Sequence, residues 1–544
     1  MHNLKVGERK KLYYISAFVS LILFFLAVWQ ISPVVAEWTA PLGLVSYLPC
    51  TYWIGLAVIL ITSLKAVRDR ELNDDVIFIC IILVIGLFLC GISVFVQSNS
   101  TEPDAYLHFP GVSMLLMTHH LDINSALLSS YNSWPLYHFL SAAMVSVTNV
   151  GFSMVKYSPL VWLLFLIILT YGVGKRFGLA SKYCFMISIL AVASDFVSLS
   201  DYTPRLLGMI LLLCIFMIVI KPIKSVSENV TVMILFGALV MTHGTSSILA
   251  IVVVTLLAIY RRDLTLVIFF VVIFAAWQIY DTPLMFTSGI SAIRNSVLNI
   301  FQVTRTEMYQ GVASPVSQIT HYSQLSYLAL YGLSVGIIFI MLIRKKIMEQ
   351  HRKYVLALFI WILGTALMLL IPSGAEVTRT YVFLTIPLAC IVCLSFINWK
   401  ILMPIICILC FLFPIARYGG VVNFGQVLTT ELDGADFWAT RINIDAVYFT
   451  DNYFLPSLVV HYNREMLTYN FWDPKNIAEA VNQSPAEALD AMPYIIMSTQ
   501  GNDVLTYNMK ANPYTAWPNT EDGEKSNLLY NNGFFQIYQN NHVN

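Results

Sequence analysis

The sequence predicts an all-α polytopic membrane domain of about thirteen helices over residues 1–420, then a small extracytoplasmic α/β domain over residues 431–544. Three observations predict it. Of the 544 residues, 58% are hydrophobic and 11% charged, with a mean hydropathy of +0.72, whereas a soluble domain carries about 25% charged residues. Apolar runs recur at lengths that match a hydrocarbon core of about 30 Å. From about Glu431 onward the composition turns polar and acidic, and short strand-like runs replace the long apolar ones.

The predicted spans lie near residues 12–31, 44–64, 76–96, 158–174, 182–199, 206–221, 264–282, 324–343, 355–371, 380–397 and 401–417. Two shorter runs, 230–242 and 246–260, flank His243-Gly244-Thr245-Ser246-Ser247 and read as short spans meeting at a polar apex. Lys5, Arg9, Lys10 and Lys11 precede the first run, which has no convincing cleavage site and so reads as a retained span rather than a signal peptide.

Sidedness follows from the basic residues, which concentrate in cytoplasmic loops. The N-terminus is rich in them, as are Lys65/Arg68/Arg70, Lys175/Arg176/Lys182, Lys221/Lys224, Arg261/Arg262 and Arg344/Lys345/Lys346/Arg352/Lys353. The opposite loops carry few: none at 32–43, Arg205 after the fifth span, Arg294 and Arg305 in a long outer loop at about 283–323, and Arg379. The alternation holds only if residues 135–150 do not cross. That stretch, opening Pro135-Leu136-Tyr137-His138, is expected to lie in the interface within a large outer loop at about 97–157. The N-terminus is then cytoplasmic and the C-terminal domain outside. In that domain, strands are expected at 446–449, 494–497 and 534–538, with helical patterns around 458–467 and 477–489.

Lys plus Arg equals Asp plus Glu, at 31 each, so nothing in the charge balance points to nucleic acid as a partner. The nine cysteines all fall in apolar stretches, which predicts no structural disulfide. Cys390/Cys393 and Cys407/Cys410 are C-x-x-C pairs whose place inside predicted spans favours packing over metal binding.

The residues that carry chemistry gather on the predicted outer face. Glu102-Pro103-Asp104 with His108 puts two carboxylates and an imidazole at the mouth of a span, where charge is expensive, and suits a cation, a proton acceptor or both. Asp104 alone also suits a helix cap. Asp195, Asp201, Tyr202, Thr203, Pro204 and Arg205 form a second cluster, or an ordinary polar turn with Pro starting a helix. His243 sits at the polar apex, where bonds to Ser or Thr neighbours would account for it. Glu376 and Arg379 are spaced for a local ion pair. Carboxylates with Arg and His on one membrane face suit the handling of a phosphate-bearing lipid, since Arg binds phosphate bidentately and a carboxylate activates an acceptor or holds a divalent metal.

At these residues the sequence resembles the GT-C superfamily of integral membrane glycosyltransferases, which includes oligosaccharyltransferase catalytic subunits, protein O-mannosyltransferases and aminoarabinose transferases. The resemblance rests on Glu102-Pro103-Asp104 with Tyr106 and His108, on Trp134-Pro135-Leu136-Tyr137-His138, on the inner turn Gly174-Lys175-Arg176-Phe177-Gly178, and on Asp201-Tyr202-Thr203-Pro204-Arg205-Leu206-Leu207-Gly208. It covers most of residues 76–400 in order and arrangement, together with the long outer loop and the C-terminal domain. It implies a sugar donor on a polyprenyl phosphate or diphosphate, drawn from the bilayer, and transfer at the outer face to a protein, lipid or glycan acceptor. By position it implies Asp104 as the catalytic carboxylate with Glu102 its neighbour. His108, Asp201, Arg205, His243, Glu376 and Arg379 are expected to line the substrate site, with Arg379 at the lipid phosphate. A divalent cation, Mg or Mn, is expected at Glu102, Asp104 and Asp201 if the reaction uses one. The tail lacks the Trp-Trp-Asp-Tyr-Gly motif of oligosaccharyltransferases, Phe471-Trp472-Asp473-Pro474 being its poor counterpart, which puts transfer to Asn sequons in doubt. The rival readings are a transport or polymer-handling protein using the same outer cavity for binding alone, and a non-catalytic scaffold.

Overall fold

The computed structural model describes residues 6–31, 43–97, 99, 104–121, 134–151, 153–194, 202–221, 225–280, 349–368, 374–395, 399–418, 429–442, 448–450, 492–498, 526–533 and 535–540, together with six helical residues between 329 and 340. Its helices are α1 (Val6–Ile31), α2 (Cys50–Arg68), α3 (Asp75–Val96), α4 (Asp104–Thr118), α5 (Leu136–Thr148), α6 (Ser153–Arg176), α7 (Ser181–Ser194), α8 (Pro204–Val219), α9 (Val226–Val240), α10 (Gly244–Arg261), α11 (Thr265–Tyr280), α12 (Glu349–Met368), α13 (Gly374–Ser395), α14 (Trp399–Ala416) and α15 (Thr429–Arg441). Four short strands follow: β1 (Tyr448–Thr450), β2 (Tyr494–Ser498), β3 (Asn527–Asn531) and β4 (Phe535–Gln539).

Among the described residues, five helices are long and apolar enough to cross a membrane: Gly7–Ile31, Cys50–Arg68, Asp75–Val96, Ser153–Arg176 and Gly244–Arg261. Shorter apolar helices occupy the expected spans at α7, α8, α9 and α11 to α14. The expected span 324–343 is represented only by the six helical residues noted above, and the outer loop 283–323 lies outside the described residues. α1 shows why these are not helices of a soluble core. Tyr13, Ala17, Phe24, Ala27 and Ile31 bury one stripe, while Ile15, Phe18, Ile22, Phe25 and Trp29 form an equally apolar stripe on the exposed side. A helix apolar on both faces needs a second apolar medium.

The helices pack around one large core that runs from α1 to α14. Within it, α3 contains a π-helical turn at Leu87–Gly91, which disturbs the regular ladder of backbone bonds. Two buried tyrosines answer it. The Tyr52 hydroxyl donates to the carbonyl of Phe88 at 2.8 Å, and that of Tyr418 to the carbonyl of Leu89 at 2.5 Å. The nine cysteines are free thiols, and those of the two C-x-x-C pairs pack in or against this core.

One end of the bundle is charged. Arg9 pairs with Asp69 and Glu71, Lys10 with Asp74 at 2.7 Å, and Lys175 with Asp75 at 2.9 Å. Asp74 also caps α3 by accepting from the backbone N–H groups of Val76 and Ile77, and the Lys10 ammonium holds its carboxyl below the usual range. Arg176 donates to the carbonyl of Met217. Arg261 donates to the carbonyls of Val219, Ile220 and Lys221, satisfying the open C-terminal end of α8. The basic residues of several loops thus meet at a single end of the bundle.

At the other end lies a second core. It combines Ala105, Tyr106, Phe109 and Val112 of α4, Tyr137 and Ala142 of α5, Tyr202, Leu432, Ala435 and Trp438 of α15, and Ile496, Phe535 and Ile537 of the sheet. The sheet order is β1-β2-β4-β3, with β1 parallel to β2 and the other pairs antiparallel. β3 and β4 form a hairpin whose turn includes Gly533 at φ +87°, a backbone state that glycine alone adopts without penalty. Asn532 ties the hairpin to α15 through the carbonyl of Thr430 at 2.9 Å, and Asn99 reaches Thr429 at 3.3 Å. The three expected strands correspond to β1, β2 and β4. β3 and α15 were not expected, and the helical patterns at 458–467 and 477–489 lie outside the described residues.

α5 has 13 residues, about 20 Å at 1.5 Å per residue, and is one of the shorter apolar helices. It ends at Asn149 with φ +54°, and Gly151 at +59° turns the chain into α6. Its inner face carries Tyr137, His138, Ser141 and Ala142, and its outer face leaves Phe139, Leu140 and Val147 exposed.

Candidate functional site

The site assembles from helix termini at the end of the bundle away from the charged cluster. α4 supplies His108, which is buried. α5 supplies Tyr137 and His138, one turn into the helix, with the backbone N–H of Leu136 fixed to the carbonyl of Met241 at 3.0 Å. Tyr202 and Thr203 come from the chain entering α8, where Pro204 starts the helix with its fixed φ. His243 comes from the apex before α10.

The rings of His108, Tyr137, His138 and Tyr202 form a continuous group. The His108 and His138 centroids lie 6.1 Å apart, His108 and Tyr137 6.2 Å, and Tyr137 and Tyr202 5.0 Å. Burial, reinforced by the neighbouring His108, pushes His138 down to about 3, so it is neutral at physiological pH. Burial likewise raises the Tyr202 hydroxyl well above the ordinary tyrosine value. Both groups therefore stay uncharged.

His243 caps α10. Its Nδ1 accepts from the backbone N–H of Ser246 at 3.3 Å and lies 2.7 Å from the Ser246 hydroxyl. Its ring stands 6.4 Å from that of Phe383 on α13. α8 comes close here because residue 208 is glycine: a Cβ on Gly208 would sit 2.9 Å from the Cβ of His243. Arg205, partly buried, is three residues earlier on the same helix. Gly244 likewise admits the Trp134 indole, since a Cβ there would lie 2.8 Å from the ring. Gly244→Ala is expected to displace Trp134 and to cost about 1–3 kcal/mol, the usual range for overpacking. Thermal unfolding together with tryptophan emission checks this, and an unchanged midpoint and spectrum would count against it.

The expected site residues divide accordingly. His108, Arg205 and His243 are described and gather at this end. Asp104 is the first residue of α4, one turn before His108, and Arg379 stands one turn before Phe383 on α13; Glu376 lies on the same helix. The side chains of Asp104, Glu376 and Arg379, and all of Glu102, Asp195 and Asp201, lie outside the described residues. Among the described residues no group of three or more His, Cys, Asp or Glu is placed to hold a metal; of the three residues expected to hold a cation, Glu102, Asp201 and the side chain of Asp104 are not described. His138 and Thr203 were not among the expected site residues, although Thr203 stands in the second outer cluster and both lie in the stretches that carry the resemblance.

No protein-family model matches this chain, and no curated protein matches it significantly.

Proposed function

We propose that this chain is a GT-C-like glycosyltransferase of the plasma membrane and cell envelope, crossing the bilayer thirteen times with its N-terminus in the cytoplasm and its C-terminal domain outside. It moves a sugar from a polyprenyl-phosphate donor to a protein, lipid or glycan acceptor. The observation that carries the reading is the gathering of His108, Arg205 and His243 with Trp134, Tyr137 and Tyr202 at one end of an apolar bundle, while Arg9, Lys10, Lys175 and Arg261 meet partners at the other.

In the proposed reaction Asp104 takes the proton of an acceptor hydroxyl as its oxygen attacks the anomeric carbon. The bond from that carbon to the donor phosphate oxygen breaks, and the polyprenyl phosphate leaves with the electron pair. Arg379 stabilises the charge that develops on it, a contribution realised in the transition state. A Mg or Mn ion held by Glu102, Asp104 and Asp201 would supply further neutralisation at the same place. The test is transfer of radiolabelled sugar from polyprenyl phosphate in membranes containing the parent chain or its Asp104 variant. Equal incorporation by both overturns the reading.

Sidedness is tested separately. Leu528 on β3 and Val226 at the start of α9 are both well exposed, which suits them to labelling. Above the background of the native thiols, an impermeant maleimide applied to intact cells is expected to label Leu528→Cys and to spare Val226→Cys. The opposite pattern inverts the topology.

A further inference from the structure

The outer group of aromatic side chains contains polar atoms that the proposed reaction leaves unused. His138 is 1% exposed, and neither of its ring nitrogens has a hydrogen-bond partner among the described residues. The same is true of Trp134 Nε1 and Thr203 Oγ1. Buried polar groups in folded proteins are almost always paired. Orphans concentrated at the entrances of α5 and α8, which Tyr137 and Tyr202 bring together at 5.0 Å, mark a place built for something other than the protein's own chain.

The chemistry of the group selects the ligand. A neutral imidazole offers one N–H donor and one acceptor lone pair, and a threonine hydroxyl offers both functions as well. The rings in contact with His138 are those of His108 and Tyr137. A phosphate would call for cationic donors, and a hard cation for several oxygen ligands. Hydroxyl groups, which donate and accept, match what is present, and aromatic faces suit the apolar face of a sugar ring.

We infer that His138 and Thr203, walled by Tyr137 and Tyr202, form a sugar-binding subsite that holds ring hydroxyls by neutral hydrogen bonds. This rests on the reading that the outer end handles sugars. It assigns His138 to recognition, apart from the proton transfer at Asp104 and the phosphate at Arg379.

The experiment is thermal unfolding of the full-length protein in lipid nanodiscs, read as the shift produced by a panel of methyl glycosides of glucose, mannose, galactose and N-acetylglucosamine. At least one glycoside, near a hundredfold over its dissociation constant, is expected to raise the parent midpoint by about 2 °C. Asp104→Asn is expected to keep that shift, His138→Gln to keep part of it, and His138→Phe to lose it. Without ligand, His138→Phe should melt no lower than the parent, because it removes a buried polar group that has no partner. The inference is overturned if no glycoside separates the parent from His138→Phe, if inorganic phosphate or Mg does so instead, or if His138→Phe melts clearly lower without ligand. A glycoside shift that depends on His138, in a protein that transfers no sugar, would defeat the transfer reading and leave the subsite standing.

Discussion

Membranes containing Asp104→Asn are expected to transfer no measurable sugar from a polyprenyl-phosphate donor while holding as much folded protein as membranes containing the parent chain. The argument begins from shape. Asn is isosteric with Asp and caps a helix about as well, so any role of residue 104 in starting α4 survives. What Asn lacks is the negative charge and the basic oxygen that accepts a proton. Loss of a positioned general base costs about 10²- to 10⁴-fold in rate, whereas loss of a cap costs about 1 kcal/mol of stability and little chemistry. Turnover and melting midpoint, measured on matched amounts of protein, therefore move separately. Parental turnover in the Asn variant would leave Asp104 as the opening residue of a helix and nothing more.

Trp438→Ala is expected to unfold the C-terminal domain without dispersing the helical bundle. Trp438 is fully buried, packs edge-to-face on Tyr494 at 5.3 Å, and shares its core with Ile496, Phe535 and Ile537. Truncating a buried tryptophan costs about 3–5 kcal/mol, against a total stability of about 5–15 kcal/mol for a domain. The large core around α3 and α8 contains none of these residues. Limited proteolysis from the outer face should cleave the variant after about residue 429 and spare the bundle. A tail as resistant as the parent's would mean that Trp438 is not central to its packing.

Much of the apolar bundle was legible in the sequence, because a helix exposed to hydrocarbon must be apolar all round and so announces itself over about twenty residues. The helical character of the stretch 135–150 was legible too, and it forms the helix Leu136–Thr148. β3 was not. Asn527-Leu528-Leu529-Tyr530-Asn531 is an exposed edge strand, with no buried face to impose alternation. α15 was missed because Asp433-Gly434 reads as a turn. Yet Gly434 is needed inside the helix, since a Cβ there would lie 2.2 Å from the Phe535 ring. His243 was legible as a residue bonded to its serine neighbours, which is how it caps α10. His138 was quoted as part of a motif but not singled out, because nothing local marks its burial. Its environment comes from α4 and from the start of α8, which are remote in sequence.

The second core also imposes an order on the making of the protein. Its first contributors, Tyr106, Phe109 and Tyr137, are translated long before its last, Phe535 and Ile537. Until Phe535 and Ile537 have been made, the second core lacks part of its apolar content, and a partly made molecule exposes apolar surface of the kind that draws aggregation. A nascent chain stopped short of residue 526 would have its helical bundle and lack the β3–β4 hairpin that closes this end. Closure of the second core therefore comes after the helices of the large core have been made, so the two cores form at separate times.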